Sequence, residues 1–374
     1  MRLFGFGALS VILVLHLSAI GLSEAVIGRL LALTMAGDAA ITLWVTLHAD
    51  RIGRARMLRF GALLMILAGL ALPASTSLWL IAPAMFLGAI SLNGGEVGPF
   101  LAIEQAALTH SLAAAQRTTA LAWYILAGSL ASALGSLAAG LASYRGILLL
   151  YAACGMLLLL LTGLLSKGIE AQPTESIAPR FGLHKSRPIV LQLSALFMLD
   201  TLGSGLAVQS FLAWWLHQRF AIDTAVIGSI FFGMNLLAAF SALAASRLAA
   251  RIGLINTMVW THIPANLLLI ALPFMPSLPG AIAVLLLRGC LSQMDVPARQ
   301  SYLMAVVEPD ERSAAGGITG LAKSIASALS PPVTGALFAA GWMSTPFIAA
   351  GTLKVIYDLL LWRGFRSLKP PEER

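Results

Sequence analysis

Charge is scarce in this chain. Of 374 residues, 11% are Asp, Glu, Lys or Arg, whereas 59% are hydrophobic. The mean hydropathy of +0.88 lies well outside the balance of a water-soluble domain. The composition therefore excludes a soluble fold and predicts an all-α membrane protein, because the backbone groups of a spanning segment must bond within a helix.

Recognisable catalytic and cofactor motifs are also lacking. The only two cysteines, Cys154 and Cys290, lie inside apolar runs, where ordinary packing is more common than a disulfide. The sequence has no phosphate-binding loop, no zinc motif and no nucleophile triad, and its histidines lack metal-ligand spacing. We therefore expect no enzyme activity, no ATP-driven pumping and neither a metal nor an organic cofactor.

Long apolar runs, by contrast, fill most of the chain. A run of roughly 20 residues can cross a bilayer as a helix. The first run also resembles a secretory signal, since Arg2 precedes it and small residues end it, but the repeat described below requires it as a span. Twelve transmembrane helices are predicted, at 4–21, 25–48, 58–74, 78–102, 116–142, 144–166, 189–216, 224–248, 254–274, 279–302, 314–341 and 344–365.

The basic residues lie mostly on one side of these spans. Among 24 Lys and Arg residues, only Arg29, Arg145 and Arg219 fall in loops on the opposite side. Short loops rich in Lys and Arg stay in the cytoplasm, so both termini are expected there. The net charge of +8 thus indicates orientation in a lipid bilayer rather than nucleic-acid binding. We expect a monomeric, multi-pass protein of a bacterial inner membrane.

The two halves of the chain resemble each other. A shift of 200 residues lays the first AVIG on the second and the first RIG on the second, and a shift of 195 lays SLASAL on SIASAL. Such offsets predict two parallel six-helix bundles related by pseudo-twofold symmetry. The predicted domains are 1–166 and 189–374, joined by a polar cytoplasmic linker at 167–188.

The run LHADRIGRARML, between spans two and three, concentrates charge at a turn. Glycine permits a tight reversal, and arginines anchor the cytoplasmic interface. The run resembles the signature loop of the major facilitator superfamily, usually written G-x-x-x-D-[RK]-x-G-[RK]-[RK]. Asp50, Arg51, Gly53 and Arg54 fit this pattern, whereas Thr46 replaces its first glycine.

This resemblance implies the fold of that superfamily and transport by alternating access, with helices one, four, seven and ten lining a central cavity. It also implies that Asp50, Arg51, Gly53 and Arg54 belong to a conformational gate. A plain positive-inside anchor is the alternative explanation for the arginines that follow in this loop.

Ionisable residues inside the spans are expensive in hydrocarbon and usually face a cavity or a partner. Glu96 and Asp295 each precede a valine and a nearby proline, which predicts loosened helices near the cytoplasmic side. Asp295 is assigned to the gate, because binding a neighbouring cationic loop is favoured there over substrate contact. The six such residues are Asp38, Glu96, Asp200, Arg288, Asp295 and Lys323.

Helix ten offers a specific geometry. Arg288, Ser292 and Asp295 are spaced i, i+4, i+7, which would put them on one helical face with about 10 Å of rise between the charges. Arg288 either binds a substrate carboxylate or phosphate through its planar fork, or pairs with Asp200 or Glu96.

Asp200 is the first candidate for proton coupling, and Asp38 is the second. A carboxylate that alternates between water and a buried site can take up and release a proton. The alternative is a permanent pair between Asp200 and Lys323 or Arg288. In helix twelve, the i, i+4 spacing of Lys354 and Asp358 predicts that these two pair with each other.

The leading functional expectation is proton-coupled efflux of a small organic solute or drug, driven by a proton gradient. The cations Arg288 and Lys323 favour an anionic or zwitterionic solute. Uptake of a metabolite, facilitated or driven by protons, is the alternative, and a non-transporting sensor or a lipid scramblase is an alternative of another class. The predicted substrate-binding residues are Arg288, Lys323, Asp200, Ser292 and Glu96.

Overall fold

The computed structural model describes residues 1–95, 100–101, 103–104, 114–164, 183–308, 310–366 and 368. All regular elements in this part of the chain are helices, which confirms the predicted all-α class. The side chains at 46, 50, 51, 114–119, 121–122, 242, 246 and 313 lie outside the description.

The described helices follow the order of the predicted spans. Seven helical segments are long and apolar enough to cross a membrane, and three shorter helices are also apolar. The total of twelve spans stays a prediction. The helices are α1 Arg2–Ala19, α2 Glu24–Ile52, α3 Arg54–Ala71, α4 Leu78–Leu87, α5 Ala114–Ala138, α6 Tyr144–Gly163, α7 Arg187–Leu206, α8 Gln209–Phe220, α9 Thr224–Ile252, α10 Leu254–Ala271, α11 Leu278–Gly289, α12 Asp295–Val306, α13 Arg312–Ala339 and α14 Thr345–Phe365.

The chain forms two compact units. Unit one comprises Met1–Glu175 and Val208–Phe232, and unit two comprises Ser176–Ala207 and Gly233–Arg374. Helix α8 therefore belongs to unit one, although it follows the predicted linker in sequence. In unit one α1 packs against α5 and α6, and α3 packs against α6; in unit two α7 packs against α13 and α14, and α10 packs against α14. The same pairing order in both units agrees with the predicted repeat.

The RIG sequence marks the same turn in both halves. Gly53 joins α2 to α3 with a φ of 109°, and its N–H donates to the Ala49 carbonyl over 2.9 Å. Gly253 joins α9 to α10 with a φ of 86° and donates to Ala249 over the same distance. Glycine adopts positive φ at little cost. The turn that the sequence predicts at Gly53 is therefore present.

Three predicted spans are interrupted. Span four ends its first helix at Leu87 and runs irregularly through 88–95, span seven breaks between α7 and α8, and span ten breaks at 290–294. The break in span ten has a local cause, because the Pro297 ring would clash with the carbonyl four residues earlier if the helix continued. The predicted loosening before Asp295 is thus confirmed. Glu96 lies outside the described residues.

The break in span ten overturns one predicted geometry. Helix α11 ends at Gly289 and α12 begins at Asp295, so no continuous helix carries Arg288, Ser292 and Asp295. Their i, i+4, i+7 spacing does not place them on a single face, and the rise expected for one helix does not apply.

The irregular part of span four is tied down inside unit one. The Tyr151 hydroxyl donates to the carbonyls of Gly88 and Ala89 over 2.9 and 3.0 Å. The Ser210 N–H and hydroxyl both donate to the Leu92 carbonyl, over 3.1 and 3.0 Å. Carbonyls that a broken helix leaves free in a membrane need such partners. The irregular segment is therefore stabilised by specific hydrogen bonds, and those from Ser210 also hold the start of α8 in place.

Candidate functional site

Six ionisable side chains meet inside unit two, on helices α7, α10, α12 and α14. Charged groups are almost never fully buried without partners, so a set of this size marks either a structural network or a functional site. Asp358 is 0% exposed and Asp200 is 4% exposed. We call this set the buried ion cluster: Asp200, His262, Asp295, Arg299, Lys354 and Asp358.

Asp200 is the centre of the cluster. Arg299 donates to its Oδ2 over 2.6 Å, and the Lys354 ammonium donates to its Oδ1 over 2.7 Å. One carboxylate thereby joins α7 to α12 and α14. The alternative to proton coupling, a permanent pair of Asp200 with Lys323 or Arg288, named other partners than the Arg299 and Lys354 that the structure shows.

His262 bridges two carboxylates. Its Nδ1 lies 2.9 and 3.1 Å from the two carboxylate oxygens of Asp358, and its Nε2 lies 3.9 Å from Oδ1 of Asp200. Asn266 donates to Asp358 over 3.2 Å. The predicted pair of Lys354 with Asp358 is wrong, because Asp358 binds α10 side chains while Lys354 reaches α7.

Arg299 is held from three directions. Besides Asp200, it lies 3.2 Å from Asp295 one turn earlier, a contact that is electrostatic and lacks hydrogen-bond geometry. Its guanidinium also packs 5.5 Å from the centre of the Phe197 ring, within the range of a cation–π interaction. Arg299 was not among the six ionisable residues that the sequence analysis selected inside the spans.

Arg288 and Lys323 lie apart from the cluster contacts. Arg288 is half-buried, and its Nε is buried without a recorded hydrogen-bond partner among the described residues. Lys323 is exposed on α13. The structure thus brings Asp200 and Asp295 together through Arg299, whereas the predicted substrate residues make no common contact within its described part.

The other predicted residues have mixed outcomes. Asp38 is half-buried and follows Gly37, which packs against the backbone of Phe86 in α4. Arg54 begins α3 and is half-buried. The side chains of Asp50 and Arg51 lie outside the described part of the chain. Their role in a gate, with Gly53 and Asp295, stays a prediction.

Unit one contains an ion pair of its own. Arg2 donates to Glu104 over 2.5 Å and to the Tyr124 hydroxyl over 2.6 Å, and it packs 5.1 Å from the centre of the Phe100 ring. Glu104 follows the break in span four, as Arg299 follows the break in span ten.

The charge on the first helix of this pair is opposite to the charge on the first helix of the pair in unit two. Gly7 packs α1 against α5, and Gly205 packs α7 against α13. Counting back the same number of residues from these two glycines leads to Arg2 and to Asp200. The first helix of each unit thus carries one member of a buried pair at an equivalent place, a cation in unit one and an anion in unit two.

Sequence reasoning missed four members of the cluster as functional candidates: His262, Arg299, Lys354 and Asp358. Two signals were available. Arg299 stands at i, i+4 from Asp295, and Lys354 and Asp358 are both ionisable residues inside a span. The bridging position of His262 had no such signal, because its two acids come from distant helices.

Known proteins resemble this chain over nearly its whole length. The family model of the Major Facilitator Superfamily matches residues 1–294 and 193–374. An uncharacterized membrane protein of Saccharomyces cerevisiae is 28% identical over 406 residues, which cover 96% of this chain and 91% of the relative.

Solved structures of transporters share the architecture. The human organic anion transporter MFSD10 is 18% identical with a TM-score of 0.64, covering 96% of each chain. The nucleoside transporter NupG has a TM-score of 0.76 at 14% identity, covering 98% of this chain and 96% of that one. The inward open xylose transporter XylE from E. coli has a TM-score of 0.75 at 13% identity, covering 97% and 93%. At these identities the likeness shows the fold alone.

Proposed function

The chain belongs to the Major Facilitator Superfamily, and from this premise we propose that it is a proton-coupled secondary transporter that exports a small anionic or zwitterionic organic solute. The superfamily fold and the multi-pass membrane location agree with the sequence prediction. Members of this family are transporters rather than enzymes. Two helical bundles that alternately expose a shared site would carry the solute.

The observation that carries the solute class is the state of Arg288. Arg288 is half-buried and its Nε is fully buried, and a guanidinium placed in this way without an anion is costly in a membrane protein. Each acid of the buried ion cluster already contacts another side chain, so Arg288 has no recorded carboxylate partner in the described part of unit two. A planar guanidinium fork matches a carboxylate or phosphate. We therefore propose that Arg288 binds a carboxylate or phosphate of the solute.

Other predicted residues complete the proposed site. Ser292 lies in the break beside Arg288, and Lys323 carries an exposed ammonium on α13. Glu96 and Asp200 stay predicted substrate-binding residues, and we propose that they bind the amine of a zwitterion. Asp200 already contacts two cations. A role in proton coupling or in holding the helices together is therefore better supported for it than direct binding of the solute.

Proton coupling is supported by the concentration of buried acids. Asp200 and Asp38 are the proposed coupling residues, and a proton gradient is the proposed energy source. A bacterial inner membrane with both termini in the cytoplasm remains the proposed location, as does a monomer surrounded by lipid.

Flux in proteoliposomes tests the proposal. The purified chain is reconstituted with an internal pH-sensitive dye, and radiolabelled benzoate, lactate, glycine, glucose and uridine are offered under an imposed pH gradient. We expect movement of a carboxylate-bearing solute in exchange for protons. Arg288→Ala should lower this flux about 10- to 100-fold, because a charge-assisted bond is lost. Arg363→Ala removes an exposed arginine of α14 and should leave the flux unchanged.

The outcomes separate the alternatives. Equal loss in Arg288→Ala and Arg363→Ala, or flux of only glucose or uridine, contradicts an anion site at Arg288. Solute and protons moving together indicate uptake, and solute moving without protons indicates facilitated transport. A sensor moves none of the solutes, and a scramblase moves labelled lipid without a pH gradient.

A further inference from the structure

One imidazole lies between two carboxylates that come from different helices. His262, in α10, is 5% exposed, and its Nδ1 contacts both oxygens of Asp358. If Asp358 is ionised, its oxygens can only accept, so a neutral ring would carry its hydrogen on Nδ1 and Nε2 would be its free nitrogen. Nε2 faces Oδ1 of Asp200 over 3.9 Å, which is too long for a hydrogen bond.

The buried ion cluster contains one more carboxylate than permanent cations. Three carboxylates, Asp200, Asp295 and Asp358, stand against two permanent cations, Arg299 and Lys354. A proton on the imidazole makes the two sides equal. Buried charges are tolerated when they are paired, so the cluster is best balanced with a cationic ring.

The groups around the ring come from each helix that packs on α10. Asp200 also lies near the ring, 3.9 Å from Nε2, although its helix α7 packs mainly against α13 and α14 rather than α10. From α11, Arg288 has no recorded contact with the ring in the described residues. The remaining neighbours are Asn266 of α10 itself, Asp295 and Arg299 of α12, and Lys354, Tyr357 and Asp358 of α14. Anions thus face both ring nitrogens, and the two nearby cations are bound to Asp200.

We infer that His262 binds the coupled proton at Nε2 and that Asp358 positions its ring for this. The inference deepens the proposed function and rests on its proton coupling. The proton enters from solvent and leaves to solvent, and no covalent bond other than N–H forms or breaks. The inference assigns proton binding to His262 instead of Asp200, because Asp200 is already bound by Arg299 and Lys354.

The geometry also gives the proton a mechanical consequence. Lys354 binds the same oxygen of Asp200 that Nε2 faces. An imidazolium at Nε2 therefore competes with Lys354 for that oxygen and weakens the contact between α7 and α14. Among the described residues, two buried polar atoms lack a hydrogen-bond partner, Asn266 Oδ1 and the Tyr357 hydroxyl, and both could form new bonds as the cluster rearranges.

Nuclear magnetic resonance of ¹⁵N-histidine-labelled protein in lipid nanodiscs tests the inference without needing a substrate. His262→Gln identifies the signals, and His217→Gln is the matched control, since that ring contacts the Ile222 carbonyl and not an acid. In alkaline buffer we expect one neutral tautomer with hydrogen on Nδ1. On acidification the second nitrogen should become protonated. Asp358→Leu, which removes the acceptor, should abolish the preference for the Nδ1 tautomer.

Two results would overturn the inference. The first is a His262 ring that stays neutral throughout the range in which imidazoles titrate. The second is a neutral ring with its hydrogen on Nε2. Both states are read from the wild-type chain, and if His262→Gln fails to fold, substitution of the other five histidines one at a time assigns the His262 signal by elimination. A proton found on Asp358 by infrared spectroscopy, with a neutral ring beside it, counts against the inference equally.

The flux assay separates this inference from the proposed function. His262→Gln should stop proton movement coupled to solute while benzoate still shifts the melting temperature, whereas Arg288→Ala should remove both effects. Coupled proton movement that persists in His262→Gln overturns the inference and leaves the proposed function intact. A wild-type chain that moves no solute overturns the proposed function, and the resonance titration still decides whether His262 binds a proton.

Discussion

The Arg299 guanidinium lies 2.6 Å from the Asp200 carboxylate and so connects α12 to α7 inside unit two. Helix α12 is separated from α11 by the break at 290–294, so a continuous helix does not fix its position. The ion pair does this instead, together with packing. The second half of span ten can therefore respond to any change in charge at Asp200.

Asp200→Asn should destabilise the protein by about 3–5 kcal/mol, because two buried cations lose their carboxylate. The melting temperature of purified protein in detergent measures this loss. Asp310→Asn is the matched control, since this aspartate is exposed in a loop of the same unit. Similar melting temperatures for the two variants would mean that the cluster contributes little to the fold.

The pair of unit one can be tested by a double-mutant cycle. Arg2→Gln and Glu104→Gln should each lower stability, and the double variant should lose less than the sum of the two. The coupling energy should fall within about 0.5–3 kcal/mol, the range for residues in direct contact. Thermal unfolding of the four proteins gives this value. Additive losses would show that the contact between the two side chains is not energetically important.

Substitution of the turn glycines should strain both halves of the repeat. Gly53→Ala and Gly253→Ala place a side chain at positive φ, which costs about 1–3 kcal/mol. Gly364→Ala is the control, because this glycine lies in α14 with open space around it and alanine favours a helix. The melting temperature should fall in the first two variants only. Unchanged values in those two would contradict the turn geometry.

A carboxylate outside the membrane fastens the start of α7 to the start of α13. Glu311 accepts hydrogen bonds from the backbone N–H groups of His184, Lys185 and Ser186, the latter two over 2.9 Å. A bond from the Ser186 side chain, and then these backbone bonds, lower the pKa of Glu311 from 4.5 to about 2. The charged form is therefore favoured by folding.

The pH dependence follows from that direction. Because the folded pKa lies below the unfolded one, the stabilisation is complete above pH 4.5 and is lost as the pH falls toward about 2. Glu311→Gln should thus melt below the wild type at neutral pH, and the gap should narrow on acidification. Glu308→Gln, an exposed neighbour, is the control. A gap that widens in acid would refute the assigned direction.

Local chemistry explains which structural features were predictable. Apolar runs require helices in a bilayer, glycine is needed where φ is positive, and Pro297 cannot continue a helix through its preceding turn. The all-α class, the turn at Gly53 and the loosening before Asp295 were accordingly visible in sequence. The break within span seven had no comparable marker, and it was missed.

Side-chain partners were less predictable. The i, i+4 rule paired Lys354 with Asp358, yet each of them binds a residue on another helix. Arg299 was not selected as a site residue, because hydropathy shows where a span lies but not which way a side chain points. Which acid pairs with which base depends on the rotation of each helix and on packing. The spacing of polar and apolar residues normally indicates that rotation, but it does so only weakly when nearly every residue of a helix is apolar.

By itself, the sequence determined that this protein is a bundle of membrane helices with an internal repeat, since the bilayer allows few alternatives and repeated residues mark equivalent turns. Only the tertiary structure decided that Asp200 meets Arg299, Lys354 and His262 rather than Arg288 or Lys323. The physical reason is that ionic contacts act over a few ångströms between helices far apart in the chain. Their geometry exists only after the helices have packed.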